Sequence, residues 1–222
     1  MGVIERRARE KEAMRTKILE ATSRLMVEEG PESVSVRRIA EEIEYSPATI
    51  YLYFKDKAEL IDAICEELFG QMAEDLATAG SDETDPLKRL RVGLLRYIEF
   101  GMSHPNHYLA VFGAPHRPPE IPGTHKTEEA HRLGMEAFEI LRQVLRGCIS
   151  QKIIPDCDVE TTSHAAWMCL HGITTLMITT YGGDCPVYPD MTSAQRDHIK
   201  ESAVDLLIAG LRNCPLAPQP AV

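Results

Sequence analysis

Apolar residues recur every three to four positions along most of this chain, and that period confines it to helices. Met14, Ile18, Ala21, Leu25 and Met26 trace one such face, and Leu60, Ile64, Leu68 and Met72 trace another. No alternation of period two persists and no internal repeat stands out, so the expected class is all-α, with about nine helices. Gly30-Pro31 stops the first helix. Ser35 caps a short second helix over 36–43, and Ser46 followed by Pro47 opens a third that closes near Tyr53. Asp56, with Glu59 three residues on, forms a capping box for a fourth helix that fades by Thr78-Ala79-Gly80. Further helices are expected over 86–103, 105–112, 125–150, 159–182 and 193–213. The segments 113–123, with four of the 14 prolines, and 182–190 read as loops, and 215–222 as a frayed tail.

Composition narrows the class. With 222 residues, 44% apolar and 26% charged, the chain is neither disordered nor collagen-like. A net charge of −10 excludes a surface coated everywhere for nucleic acid, but the charge is unevenly spread. Residues 1–24 carry seven Lys/Arg against four Glu, while residues 61–222 carry 13 basic against 22 acidic residues. Only the basic end is therefore expected to meet an anion. The six cysteines form no C-x-x-C pair, and the N-terminus lacks an apolar targeting segment and the myristoylation pattern. Reduced thiols in the cytoplasm are the expected setting. The charge-free stretch 161–183 is long enough to span a bilayer, yet its six Thr, one Ser and two His suit a helix buried in protein, so no membrane partner is expected.

The pair 36–43 and 46–53, joined by a short turn, has helix-turn-helix dimensions. The second helix of such a pair enters the major groove, N-terminal residues on base edges. Ser46 and Thr49 offer hydroxyls here, Tyr51 and Tyr53 offer phenols, and Lys57 opens the next helix, where an ammonium suits a phosphate. Ile39, Ala40, Ile43, Ile50 and Phe54 supply the apolar side that locks the pair.

The string SVRRIAEEIEYSPATIYLYFKDKAELIDAI, residues 35–64, resembles the DNA-binding domain of the TetR family of transcriptional repressors. Ile39-Ala40, Tyr51, Phe54, Lys57 and Leu60 carry the likeness. It implies that Arg37 reaches a base, that Pro47 and Ala48 touch base edges, and that Ser46, Thr49, Tyr51, Tyr53 and Lys57 grip phosphates. The sequence departs from the family pattern at Glu44, where glycine is usual in the turn. It departs again at Leu52, where an apolar contact to a thymine methyl is expected. AAWMCLHGITTLMI, residues 165–178, resembles the Trp-His-Gly effector-domain subgroup through Trp167, His171 and Gly172, and HPNHYLAVF at 104–112 resembles a short helix of that subgroup. The implied organisation is a DNA-binding domain at 1–57, an effector-binding and dimerisation domain at 58–214, and a tail at 215–222. The implied function is a ligand-responsive repressor, not an enzyme, that needs no cofactor and binds a palindromic operator as a homodimer.

Trp167, His171, Thr174 and Ile178 share one helical face, which is either a core stripe or the wall of a pocket for a small, largely apolar effector. Tyr97, Phe100, Tyr108, Phe112, Met135 and Phe138 are further candidates for that wall. The other side of the same helix carries Ala165, Cys169, Gly172 and Leu176, and the last helix carries Ile199, Ala203, Leu206 and Gly210 at the same spacing. These seams either join two subunits or pack within one. The alternative reading is a helical-bundle metalloenzyme built on Glu128 and His131. It lacks the second Glu-x-x-His that such a site requires. His104 and His107 offer an i,i+3 pair with no third ligand at an obvious spacing, and Cys169 and His171 point apart.

Overall fold

The computed structural model describes residues 2–30, 34–112, 128–182 and 191–213. Among these, the regular structure is helical throughout: α1 (Val3–Glu28), α2 (Val36–Glu42), α3 (Pro47–Tyr51), α4 (Lys57–Thr78), α5 (Pro86–Ser103), α6 (Pro105–Phe112), α7 (Glu128–Ser150), α8 (Val159–Thr179) and α9 (Ser193–Asn213). The expected loop at 113–123, the expected loop at 182–190 apart from Gly182, the tail, and Cys185 and Cys214 lie outside the described residues. Helices α5, α6 and α9 have the bounds the sequence suggests, whereas α3 closes two residues earlier than Tyr53 and α8 ends at Thr179.

Two compact units form, and they divide the chain elsewhere than at residue 57. One holds Met1–Leu68 with Pro105–His131; the other holds Phe69–His104 with Arg132–Val222. The division falls inside α4, because its apolar row serves both units without a break: Leu60, Ile64 and Leu68 are buried, and so are Phe69 and Met72.

The first unit is built around α1, which packs on α2 and α6, while α2 packs on α3. Ile18, Leu25, Ile39, Ile50, Phe54, Leu60 and Tyr108 are all almost wholly buried there. Each such side chain contributes roughly 1.5–3 kcal/mol relative to leaving it in water. Charge fixes α1 against α2. Arg24 on α1 bonds Glu42 at 2.6 Å, and Arg38 on α2 reaches both Glu42 at 3.1 Å and Glu29 at 2.7 Å. The Arg24 bond is the main influence holding the Glu42 carboxyl below its usual range, with Arg38 adding to it.

The second unit joins α5 to both α8 and α9, and α8 to α9. Arg91 on α5 holds Asp205 on α9 at 2.8 Å, and the buried Lys200 of α9 meets Glu99 of α5 at 3.3 Å. Arg142 on α7 donates to Glu160 on α8 at 2.5 Å. Cys65, Cys148, Cys157 and Cys169 are free thiols. Burial, aided by Asp85, pushes the Cys148 thiol up to about 11, so it is an inert core residue. Among the described residues no helix is long and apolar enough to cross a membrane.

The turn after α2 bears out the departure at Glu44. Tyr45 N–H donates to Ala40 O at 2.9 Å and Glu44 N–H to Glu41 O at 3.2 Å. This is the Schellman arrangement, and it puts Glu44 at φ 61°, in the left-handed region that favours glycine. Holding a side chain there costs about 1 kcal/mol. Glu44→Gly should therefore raise the stability of the isolated chain, read as a higher urea midpoint with an unchanged slope. A lower midpoint would mean that the Glu44 side chain contributes more than its backbone costs.

Candidate nucleic-acid interface

Helix α3 has five residues, so its ends decide whether it forms. Ser46 Oγ accepts the Thr49 N–H at 3.2 Å and lies 3.0 Å from the Thr49 hydroxyl. Pro47 takes the first helical position, where its missing N–H costs nothing. Ile50 and Phe54 are buried and anchor the helix from below. At the next boundary Asp56 Oδ1 accepts the Glu59 N–H at 2.9 Å, while the Glu59 carboxylate reaches back to the Lys55 N–H.

This construction leaves one side of α3 to solvent. Ser46, Pro47, Ala48 and Tyr51 are exposed, and Thr49, Tyr53 and Lys57 are partly so. Leu52 is 77% exposed, although nothing within the unit requires an apolar residue there. Arg37, on α2, is exposed and holds Glu41 one turn on at 3.0 Å. Such a surface pair is worth about 0.3–0.5 kcal/mol, so it yields readily to a stronger acceptor. Sequence reasoning missed Tyr45. It stands exposed in the turn, with the Lys17 ammonium 5.1 Å from its ring centroid. Its signal was an aromatic residue directly before an N-cap, in a turn that would otherwise be polar.

The candidate effector residues fall in both units. Tyr108 and Phe112 belong to the first, with ring centroids 4.8 Å apart and Tyr108 wholly buried. In the second, Trp167 Nε1–H donates to the Tyr97 hydroxyl at 3.3 Å, and the His171 ring stacks on Trp167 at 5.6 Å. Burial lowers the His171 pKa, so its imidazole is neutral at pH 7 and able both to donate and to accept. Trp167, His171 and Ile178 are half-buried, on the flank between the buried and exposed sides of α8. Phe100 is buried and its ring lies 4.6 Å from His104. Phe138 meets other partners, the His164 ring edge at 4.7 Å and the Arg142 guanidinium at 4.4 Å. Met135 is exposed.

The two seams face solvent. On α8, Cys169, Gly172 and Leu176 are exposed and Ala165 is half-buried, while Ala166, Leu170, Thr174 and Met177 face the interior. On α9, Leu206 is 74% exposed, Gly210 is exposed, and Ile199 and Ala203 are half-buried, with Val204, Ile208 and Leu211 on the inner side. The exposed members, Cys169, Gly172, Leu176, Leu206 and Gly210, do not pack within the described part of one subunit. Met168, 61% exposed, adds to the α8 side. It belongs to neither of the two rows of i, i+4, i+7, i+11 spacing on that helix, so the sequence pattern passed over it. Glu128 and His131 are exposed, and among the described residues no three His, Cys, Asp or Glu side chains converge to hold a metal.

A capped short helix turned outward from a locked three-helix head defines a helix-turn-helix DNA-binding regulator. Residues 18–64 match the family described as bacterial regulatory proteins, tetR family. Residues 90–196, which include Trp167, His171 and Gly172, match the Tetracyclin repressor-like, C-terminal domain. The chain belongs to the tetR family and is a DNA-binding transcriptional regulator of the ligand-responsive type. It is 28% identical over 148 residues to the HTH-type transcriptional regulator AcrR of Shigella flexneri, a match covering 66% of this chain and 69% of that one. The fold is shared with a TetR family transcription regulator from Marinobacter aquaeolei VT8, at TM-score 0.69 and 17% identity, covering 92% of this chain and 98% of that one. It is shared also with the regulator FadR of Bacillus subtilis, solved with stearoyl-CoA, at TM-score 0.68 and 18% identity, covering 88% and 98%. The metalloenzyme alternative draws no support from these relatives, which are regulators.

Ser46→Ala removes the cap of a helix too short to do without it. The variant should lose about 1 kcal/mol of stability. Its DNA affinity should fall further than that of Ala48→Gly, and fluorescence anisotropy with a labelled duplex measures the difference.

Proposed function

We propose that the chain is a repressor acting in the cytoplasm as a homodimer on a palindromic operator, and that a small, largely apolar effector releases it. The observation that carries the reading is the solvent-facing surface of α3. Ser46, Pro47, Ala48, Thr49 and Tyr51 stand on it, with Arg37, Tyr53 and Lys57 around it. In this reading Arg37, Pro47 and Ala48 face base edges. Ser46, Thr49, Tyr51, Tyr53 and Lys57 hold phosphates, which fix register without reading sequence. Lys57→Ala should weaken binding to all duplexes alike and lower the salt slope by about one per subunit. Arg37→Ala should relax preference at one base pair per half-site, by ~1–3 kcal/mol.

Dimerisation is supported by the two solvent-facing seams. Leu176 and Leu206 are large apolar side chains left in water by a single subunit, beside the open backbone of Gly172 and Gly210. A Cβ at either glycine would meet no atom within 4 Å of the same chain. Two copies brought together there bury both seams, as a four-helix contact about a two-fold axis. Gly172→Arg and Ala203→Glu each put a charge into that contact and should give helical monomers with DNA affinity lost. Intact dimers for both variants in sedimentation would contradict the seam assignment.

Effector binding is assigned to the second unit's Tyr97, Phe100, Trp167, His171 and Ile178, where one neutral imidazole and one indole stand among apolar groups. Met135 and Phe138 are peripheral members of the same proposal. The wholly buried Tyr108, with Phe112, is assigned to the core of the first unit. An effector shifts the protein between two states only as far as it prefers one of them. FadR of Bacillus subtilis is solved with stearoyl-CoA, so long-chain acyl-CoA is the first probe to try here. The sole tryptophan, Trp167, should report ligand entry by a change in fluorescence. His171→Ala should weaken that response while leaving operator affinity intact; a variant that unfolds would instead make His171 a core residue.

A further inference from the structure

We propose that the outer turns of α1 are a second DNA-contacting element, with Arg7, Lys11 and Arg15 lying along phosphates that flank each half-site. The inference rests on the regulator reading above and extends it. The family match begins at residue 18, yet α1 begins at Val3. Residues 5–13 are all exposed, so these turns overhang the head, and residues 3–14 rise about 18 Å at 1.5 Å each.

The overhang is not uniformly charged. Arg7, Lys11 and Arg15 stand at i, i+4 and i+8; Ile18, eleven residues on from Arg7 and seven from Lys11, and Thr22, seven on from Arg15, are buried in the head. The three cations therefore extend the face of α1 that packs on the rest of the unit. Glu5, Glu10 and Glu12 lie off this row, and Glu10 instead holds Arg6 at 3.5 Å. Arg7 and Lys11 have no carboxylate partner among the described residues. Like charges at i,i+4 destabilise a helix by a few tenths of a kcal/mol per pair, so the row is a cost to the free protein that an anion would offset.

The inner end of the row fixes where that anion lies. The Arg15 guanidinium sits 4.6 Å from the centroid of the Phe54 ring. Phe54 follows Tyr53 and precedes Lys57, the residues assigned to phosphate at the end of the reading helix. A row of cations about 6 Å apart that starts there and runs outward continues the same phosphate track, in a chain whose body is acidic.

The test uses the full chain and a duplex that it selects from random-sequence DNA. The duplex is prepared in two lengths, trimmed to the two half-sites or with flanks of about ten base pairs, roughly one helical turn, on each side. The double variant Arg7→Ala/Lys11→Ala removes two cations per subunit. On the long duplex its plot of log affinity against log salt should be shallower by three to four, about 0.9 for each of four lost contacts in a dimer. On the trimmed duplex it should match the parent, and Arg9→Ala, off the row, should match the parent on both. An unchanged slope on the long duplex overturns the proposal. An equal fall on both lengths, or an Arg9→Ala effect as large per cation, overturns it too, because charge alone would then explain the result. A parent chain that fails to distinguish the selected duplex from random DNA would remove the regulator reading beneath it.

Discussion

A helix of five residues has no stability of its own. Isolated helices shorter than ~12–15 residues are marginal in water, so α3 exists only because its surroundings hold it. Ser46 supplies the cap, Pro47 the preset backbone, and Ile50 with Phe54 the buried anchor. The left-handed Glu44 aims the chain from α2 into α3. Behind it, the charge cluster of Arg24, Arg38, Glu29 and Glu42 keeps α2 in place on α1. The side chains assigned to DNA on α3 and at its two ends depend on this construction, since a reading surface is useful only when its groups are positioned before the partner arrives.

The cluster also sets how the head responds to acid. Glu42 has a lowered carboxyl pKa in the folded chain, from Arg24 first and then Arg38. Its contribution is complete above the unfolded carboxylate value, ~4.3, and is lost as pH falls through the lower folded one. At neutral pH the clamp between α1 and α2 is therefore fully present. In the second unit, burial keeps His171 neutral under the same conditions, so that imidazole offers a hydrogen bond without a charge to desolvate.

Helix ends were legible in the sequence where a side chain does the capping. Ser35, Ser46 and Asp56 each accept the backbone N–H that their position promises. The strained turn was legible as well, because Glu44 stood where glycine is usual. Less visible was the start of α1 at Val3: residues 5–13 are all exposed and mostly charged, so no apolar period announces them. The division of the chain inside α4 was hidden for the opposite reason, an apolar row that runs on without interruption from Leu60 to Met72. Exposure itself cannot be read from residue type. Tyr45 and Met168 became informative only when the fold left them in water.

The central claim is that the outward surface of α3 reads a DNA sequence, two copies at a time. Its most direct test is the affinity of the unmutated chain for a selected palindromic duplex against a scrambled duplex of equal length, at one fixed salt concentration. The stoichiometry is read in the same experiment by sedimentation. The account predicts two chains per duplex and a preference for the palindrome of at least ~10³-fold. Equal affinity for the two duplexes, or a single chain bound at saturation, would contradict it.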